Sequence, residues 1–148
     1  MPANTTPIFT VTPKMSWGTI NPVGLLAVTG TASGAFDGTN SNVTLVYTAG
    51  ANGGFVQKLI LESGGTNSTA SVARLWVNNG TANTAASANS LIMQYALPVT
   101  TVSTTTATAH IEIPLMYQIP AGYRIYLAIS SSANLGAGWY HSIVAGDY

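Results

Sequence analysis

Residues 55–77 read FVQKLILESGGTNSTASVARLWV, and this stretch decides the fold class. Two runs rich in aromatic, β-branched and other apolar side chains, residues 55–62 and 72–77, flank a segment dominated by Gly, Ser, Thr and Asn. Short apolar runs bounded by turn-forming clusters are typical of β-strands joined by a loop. The stretch therefore predicts two consecutive strands.

The two runs form a predicted hairpin when Ile60 is placed opposite Arg74. In that register one face is wholly apolar and is expected to be core; it holds Leu59, Leu61, Ala73, Leu75 and Val77. A slip of one residue would mix apolar and polar side chains, so this register is favoured. The opposite face would hold Lys58 beside Trp76. Two interpretations of that face stay open: a surface cation–π contact that contributes little stability, and a subunit contact that includes Trp76.

The rest of the chain follows the same pattern. Further apolar runs begin at Val23, Val43, Leu91, Thr108, Tyr123 and Trp139, which brings the expected number of strands to about eight. No window has an apolar stripe of helical period, and only the Ala-rich residues 81–90 could form a turn of helix. Strands without crossover helices pair antiparallel. The expected fold is all-β: an antiparallel β-sandwich that is jelly-roll-like, a common arrangement of eight strands.

The first 22 residues differ from the rest because they carry four of the seven prolines. Proline cannot donate to a sheet ladder, so no regular central strand is expected there. Residues 1–22 are predicted to be an extended N-terminal arm, and residues 23–148 a single β-sandwich domain. The arm is also too apolar to stay in solvent, since it contains Met15, Trp17 and Ile20. It is expected to lie on its own domain, on a neighbouring subunit or on another protein.

Composition excludes several classes of function. The 148 residues include 4 Lys and Arg, 4 Asp and Glu and no Cys, so only 5% are charged, where soluble domains carry about 25%. No basic cluster is present for nucleic acid or for an anionic membrane surface. With 47% hydrophobic residues and a mean hydropathy of +0.31, the chain is expected to fold. The N-terminus MPANTTPIFT has no signal-peptide pattern, so the product is expected to stay in the cytoplasm where it is made.

The titratable residues are too few for most catalysis. The only carboxylates are Asp37, Glu62, Glu112 and Asp147, and the only imidazoles are His110 and His141. His110 and Glu112 form an H-x-E pair on a predicted strand, where they could be two metal ligands or part of a solvated outer face; the second interpretation is favoured. No nucleophile motif is present. The sequence therefore predicts no enzyme, no catalytic residue, no cofactor and no metal site.

From about Val43 onwards the sequence resembles a known family. The segments that carry the resemblance are VYTAGANGGFVQKLILESGGTNSTASVARLWVNNG, YALPVTTVSTTTATAHIEIPL, IPAGYRIYLAIS and the terminal GAGWYHSIVAGDY. Their order is similar to that in capsid decoration, or cement, proteins of tailed bacteriophages. Residues 1–22 share no motif with that family.

The resemblance implies a structural virion protein on the capsid exterior, synthesised in the host cytoplasm. Its partners would be the major capsid protein and copies of itself, commonly as a trimer, with no nucleic acid and no membrane. The expected contact residues are Met15, Trp17, Ile20, Lys58 and Trp76. The alternative is a head-fibre or tail-associated module that binds a receptor or glycan.

Overall fold

The computed structural model describes residues 12–20, 37–39, 43–130 and 138–148. The strands in these residues are β1 (Thr12–Ile20), β2 (Thr44–Thr48), β3 (Gly54–Ser63), β4 (Ser71–Asn78), β5 (Asn89–Leu97), β6 (His110–Ile119), β7 (Arg124–Ser130) and β8 (Trp139–Asp147). A single turn of 3₁₀-helix, Ala86–Ala88, lies between β4 and β5. None of the helical structure in the described ranges is long and apolar enough to cross a membrane.

The strands form two four-stranded antiparallel sheets. Sheet A has the order β1-β8-β3-β6, and sheet B has the order β2-β7-β4-β5. The pairs β1–β8, β2–β7, β3–β6 and β4–β5 are nested, as if one long hairpin with its tip between β4 and β5 had been wrapped into a sandwich. This nesting is the jelly-roll arrangement. The expected all-β sandwich of about eight strands is confirmed.

The predicted hairpin between the third and fourth strands is wrong. In the structure β3 pairs with β6 and β8, and β4 pairs with β5 and β7, so the two strands lie in different sheets. The predicted inner face nevertheless faces the core: Leu59, Leu61, Ala73 and Leu75 are fully buried in the main core, and Val77 is partly buried against it. Alternation reveals which side chains point inward, but it does not reveal whether two inward faces lie side by side or opposite each other.

Strand β1 occupies part of the predicted arm. Thr12–Ile20 pairs along the whole of β8 as an edge strand of sheet A, so this part of the arm lies on its own domain. Pro13 is tolerated there because an edge strand has one side without ladder partners in its sheet. The strand predicted to begin at Val23 lies outside the described residues. The domain division after residue 22 stays a prediction.

A buried polar network joins three connections at one end of the sandwich. Asn67, fully buried in the β3–β4 connection, has its Nδ2 within 3.1 Å of the Ser63 and Thr100 hydroxyls and of the Gly138 carbonyl. Its Oδ1 accepts from the Gly138 amide at 2.9 Å. The backbones of Asn67 and Thr100 also exchange two hydrogen bonds, of 2.9 and 3.0 Å. The side chain of Asn67 therefore links the segments before β4, after β5 and before β8.

We expect Asn67→Ala to lower the free energy of unfolding by about 2–4 kcal/mol, because it leaves several buried polar groups without a partner. Urea denaturation followed by circular dichroism measures the loss. Asn79→Ala is the matched control, since Asn79 is exposed and accepts only from its neighbour Thr81. Its expected loss is below about 1 kcal/mol. Equal losses in the two variants would contradict the role given to Asn67.

Candidate functional site

The three expected contact residues whose side chains the structure describes, Met15, Lys58 and Trp76, do not form one surface. Met15 is exposed on edge strand β1, Lys58 lies on the outer face of sheet A, and Trp76 lies on sheet B. The backbones of Trp17 and Ile20 pair with Ser142 and Trp139 on β8, and their side chains lie outside what the structure describes. The predicted proximity of Lys58 to Trp76 is therefore wrong, because it depended on the β3–β4 hairpin.

Trp76 is buried within its own chain. It points away from the main core, but it packs in a second cluster with Tyr126 and Ala128 and has no exposed surface. Gly38 lies against its ring: a Cβ at position 38 would be 3.1 Å from the indole, and the backbone φ of +76° favours glycine there. An indole with no exposed surface offers nothing to a partner in this conformation. The sequence did not reveal that Gly38 covers the ring of Trp76, because the two residues are far apart along the chain.

The outer face of sheet A carries a ladder of paired charges. Lys58 binds Glu112 at 2.9 Å, while His110 Nδ1 lies 2.5 Å from Glu62 and His110 Nε2 lies 3.6 Å from Glu112. The hydrogen bond to Glu62 is the main cause that raises the pKa of His110, and the one from Lys58 lowers the pKa of Glu112. The side chains of His110, Glu62 and Glu112 are about half exposed and that of Lys58 about a third, so their pairing contributes little stability. Within the described ranges, no group of three or more His, Asp and Glu side chains could hold a metal ion.

His141 has the opposite environment. It points into the sandwich from β8, has 4% of its surface exposed, and its Nδ1 has no hydrogen-bond partner among the described residues. Burial lowers its pKa, because the charged imidazolium would lose its hydration. Its burial on the core side of β8 and its lowered pKa favour a neutral imidazole that packs as a core side chain.

A groove opens between the two sheets where edge strands β1 and β2 lie side by side. It has a volume of about 550 Å³ and is lined by residues 13–16 of β1 and 45–48 of β2. Met15 and Leu45 lie on its two sides and are 56% and 45% exposed, which is high for large apolar side chains. We call this feature the edge groove. Its size falls in the range of sites that receive a ligand or a protruding side chain.

Charges at the edge groove are already neutralised. Lys14 Nζ binds the Asp147 carboxylate at 2.5 Å, and the Tyr47 hydroxyl donates to the same carboxylate at 2.8 Å. Partial burial opposes ionisation of Asp147, but the hydrogen bonds from Lys14 and Tyr47 outweigh it and lower the pKa of its carboxyl. Burial, followed by the hydrogen bond to Asp147, raises the pKa of Tyr47. Lys14 is the only charged side chain in the described lining, and Asp147 neutralises it, so the groove offers a partner a mixed polar and apolar surface without net charge.

A second exposed apolar feature is the connection between β5 and β6, residues 98–109. Val99 and Val102 are 55% and 62% exposed, and no residue of this segment is charged. The segment is held to the β3–β4 connection by the Asn67–Thr100 backbone bonds and by a bond from the Val102 amide to the Thr66 hydroxyl. We call it the valine loop.

Comparisons with known proteins add little. No family model and no curated protein matches the sequence. Among solved structures, the chain is similar to the K3 cleaved adhesin domain of Lys-gingipain from Porphyromonas gingivalis W83, with 15% identity and a TM-score of 0.45. The match covers 70% of this chain and 62% of that one, which is less than two thirds of its length. The function of this chain therefore has to follow from its own surfaces.

The two histidines should affect stability in opposite directions with pH. For His141 the folded pKa lies below the unfolded value of about 6.5, so its stabilising contribution is complete above that pH and is lost as the pH falls. The loss is about 1.4 kcal/mol for each unit between the two pKa values. For His110 the folded pKa is raised, so its contribution is present at low pH and is lost as the pH rises.

NMR titration of the ring protons should therefore give His141 a lower pKa than His110. In denaturation at several pH values, the free energy of unfolding of His141→Gln should fall less towards acid pH than that of the wild type. His110→Gln is the control. If His141 titrated at or above His110, the buried placement of His141 would be contradicted.

Proposed function

We propose that this protein is a structural virion protein, a capsid decoration protein of a tailed bacteriophage. It would bind the outside of the assembled head through the major capsid protein and act as a homo-oligomer, a trimer by the family resemblance. It would be made in the host cytoplasm and end on the capsid exterior. No catalytic step, cofactor or metal belongs to this proposal.

The observation that carries the proposal is where the exposed apolar surface lies. In a jelly roll with very few charges, Met15 and Leu45 flank an open groove and Val99 and Val102 project from a held loop. Large apolar side chains that are exposed beside an open groove favour a protein contact there. A domain that is covered by neighbours in an assembly needs few charges for solubility, which agrees with the 5% in the sequence.

The carboxylates support a binding role rather than a chemical one. Each of the four has a partner inside the chain: Asp37 accepts from Thr39, Glu62 from His110, Glu112 from Lys58, and Asp147 from Lys14 and Tyr47. A general base must lie within hydrogen-bond reach of the proton that it abstracts, and no carboxylate or imidazole belongs to the described lining of the edge groove. The edge groove instead offers a surface without net charge, on which the apolar side chains of Met15 and Leu45 are exposed.

A decoration protein stabilises a shell by mass action. A ligand that binds the assembled state and not the dissociated state shifts the equilibrium towards assembly, by an amount that grows with its free concentration and affinity. No energy source or covalent step is required. By binding to the assembled shell alone, a β-sandwich with few charges can contribute to the mechanical resistance of a phage head.

Quantitative mass spectrometry of purified particles of the encoding virus tests the assignment. We expect a copy number of the same order as that of the major capsid protein, and cryo-electron microscopy should place the chain on the outer lattice. Heads without the chain should lose their DNA at a lower temperature, and added protein should restore the wild-type temperature. A handful of copies at the tail or at fibres would favour the receptor- or glycan-binding alternative, and absence from particles would refute both.

In solution we expect the isolated chain to form an oligomer at micromolar concentration, with the mass of a trimer in light scattering coupled to size exclusion. The reason is the apolar surface at the edge groove and the valine loop, which a monomer would leave in water. A monomer at that concentration would contradict the oligomeric part of the proposal. Whether the protein binds the capsid would still be tested separately, by its copy number in purified particles.

A further inference from the structure

We infer that the Asp147 carboxylate anchors the first half of β1, residues 12–16, to the sandwich, and that this half separates from β8 as a local unit when the anchor is lost. The inference goes beyond the proposed function and does not depend on it, because it concerns a movement within one chain. It matters for the edge groove, since residues 13–16 form one wall of that groove.

The Asp147 carboxylate joins the edge strands of both sheets. Its Oδ2 lies 2.5 Å from the Lys14 ammonium of β1, and its Oδ1 accepts a hydrogen bond of 2.8 Å from the Tyr47 hydroxyl of β2. A further hydrogen bond comes from the backbone amide of Gly50, in the turn between β2 and β3. The side chain of Asp147 is 14% exposed, so its charge is largely removed from water. Hydrogen bonds to an ionised group in such a setting are stronger than those between neutral groups.

The β2–β3 turn holds the carboxylate from the other side. A Cβ at Gly50 would lie 2.6 Å from Asp147 Oδ2, so glycine is what allows the turn to come this close. The Tyr148 amide donates to the Gly53 carbonyl at 3.3 Å, and Asn52 Nδ2 donates to the Tyr148 carbonyl at 3.4 Å. The carboxylate is therefore held in position independently of Lys14.

The first half of β1 is otherwise weakly held. Residues 12–15 are exposed and Ser16 is half-buried, and none of these five residues belongs to either hydrophobic cluster. Among the described strands, β1 pairs only with β8, as the edge strand of sheet A. Segments that bury little apolar surface open at a lower free energy than the core strands do.

Lys14 is the side chain of this half that reaches across to other strands. Besides binding Asp147, its Nζ donates to the Thr48 carbonyl at 3.5 Å and lies 5.8 Å from the centre of the Tyr47 ring. The hydrogen bond is long, and a cation–π contact of an exposed lysine is weak. Loss of the Asp147 charge would thus leave residues 12–16 attached mainly through their backbone ladder to β8.

Two substitutions remove the anchor from its two ends. Asp147→Asn removes the charge but keeps the shape and an acceptor for the Tyr47 hydroxyl. Lys14→Met removes the cation and keeps an unbranched side chain. Glu112→Gln is the matched control, because it breaks the 2.9 Å ion pair with Lys58 on strands β3 and β6, away from β1. Thermal unfolding checks that each variant is folded, and Lys14→Met decides the test if Asp147→Asn does not fold.

Hydrogen–deuterium exchange of the full chain, followed by NMR at neutral pH and one protein concentration, gives the outcome. We expect the amides of residues 12–16 that bond to β8 to exchange about three- to tenfold faster in each of the two variants than in the wild type. Amides of the central strand β7 should exchange at the wild-type rate. The double variant should exchange no faster at residues 12–16 than the faster single variant, because both changes remove the same interaction. Glu112→Gln should leave residues 12–16 unchanged.

Other results overturn the inference. Wild-type exchange at residues 12–16 in either folded variant would show that the ion pair does not anchor this half of β1. Equal acceleration in β1 and β7 would show a global loss of stability and no local unit. The same acceleration in Glu112→Gln would show that any lost ion pair has this effect. None of these results bears on the decoration role, which is judged by the copy number in particles.

Discussion

Burial of one apolar face of each sheet against the other is the interaction on which the rest of this structure depends. Leu59 and Leu61 from sheet A and Leu75 and Leu127 from sheet B are fully buried in one core. Because the strand pairs are nested, most connections between the described strands cross between the sheets, and among these strands only β4 and β5 are consecutive neighbours in one sheet. The core therefore forms only when segments that are distant in sequence come together.

That crossing accounts for the buried polar network around Asn67. A connection at the end of a sandwich brings backbone groups out of water, and these groups need hydrogen-bond partners. Asn67 supplies partners for three segments at once through both ends of its amide. The same network holds the base of the valine loop, so that the stability of the domain and the shape of one of its exposed surfaces depend on one buried side chain.

The scarcity of charge has a structural counterpart. Several of the few ionisable side chains form salt bridges with one another, such as Lys58 with Glu112 on sheet A and Lys14 with Asp147 at the edge groove. Apart from the paired Lys14, the side chains left exposed at the groove and at the valine loop are apolar or hydroxyl-bearing. Such surfaces gain free energy by excluding water and discriminate against charged partners, which favours contact with other neutral surfaces in a crowded assembly.

The sequence by itself determined the fold class, the position of strands β2 to β8, and which side chains point inward, because alternation and turn residues are local properties. It could not determine which strands pair. The inward faces of β3 and β4 are both apolar, so a hairpin and a jelly roll bury the same residues, and the hairpin prediction was wrong. For the same reason Trp76, read as an outer-face residue, proved to be covered by Gly38, and Met15 proved to flank a groove with Leu45. Only the tertiary structure decided these contacts, since each joins residues far apart in the chain whose approach depends on the nesting of the strands.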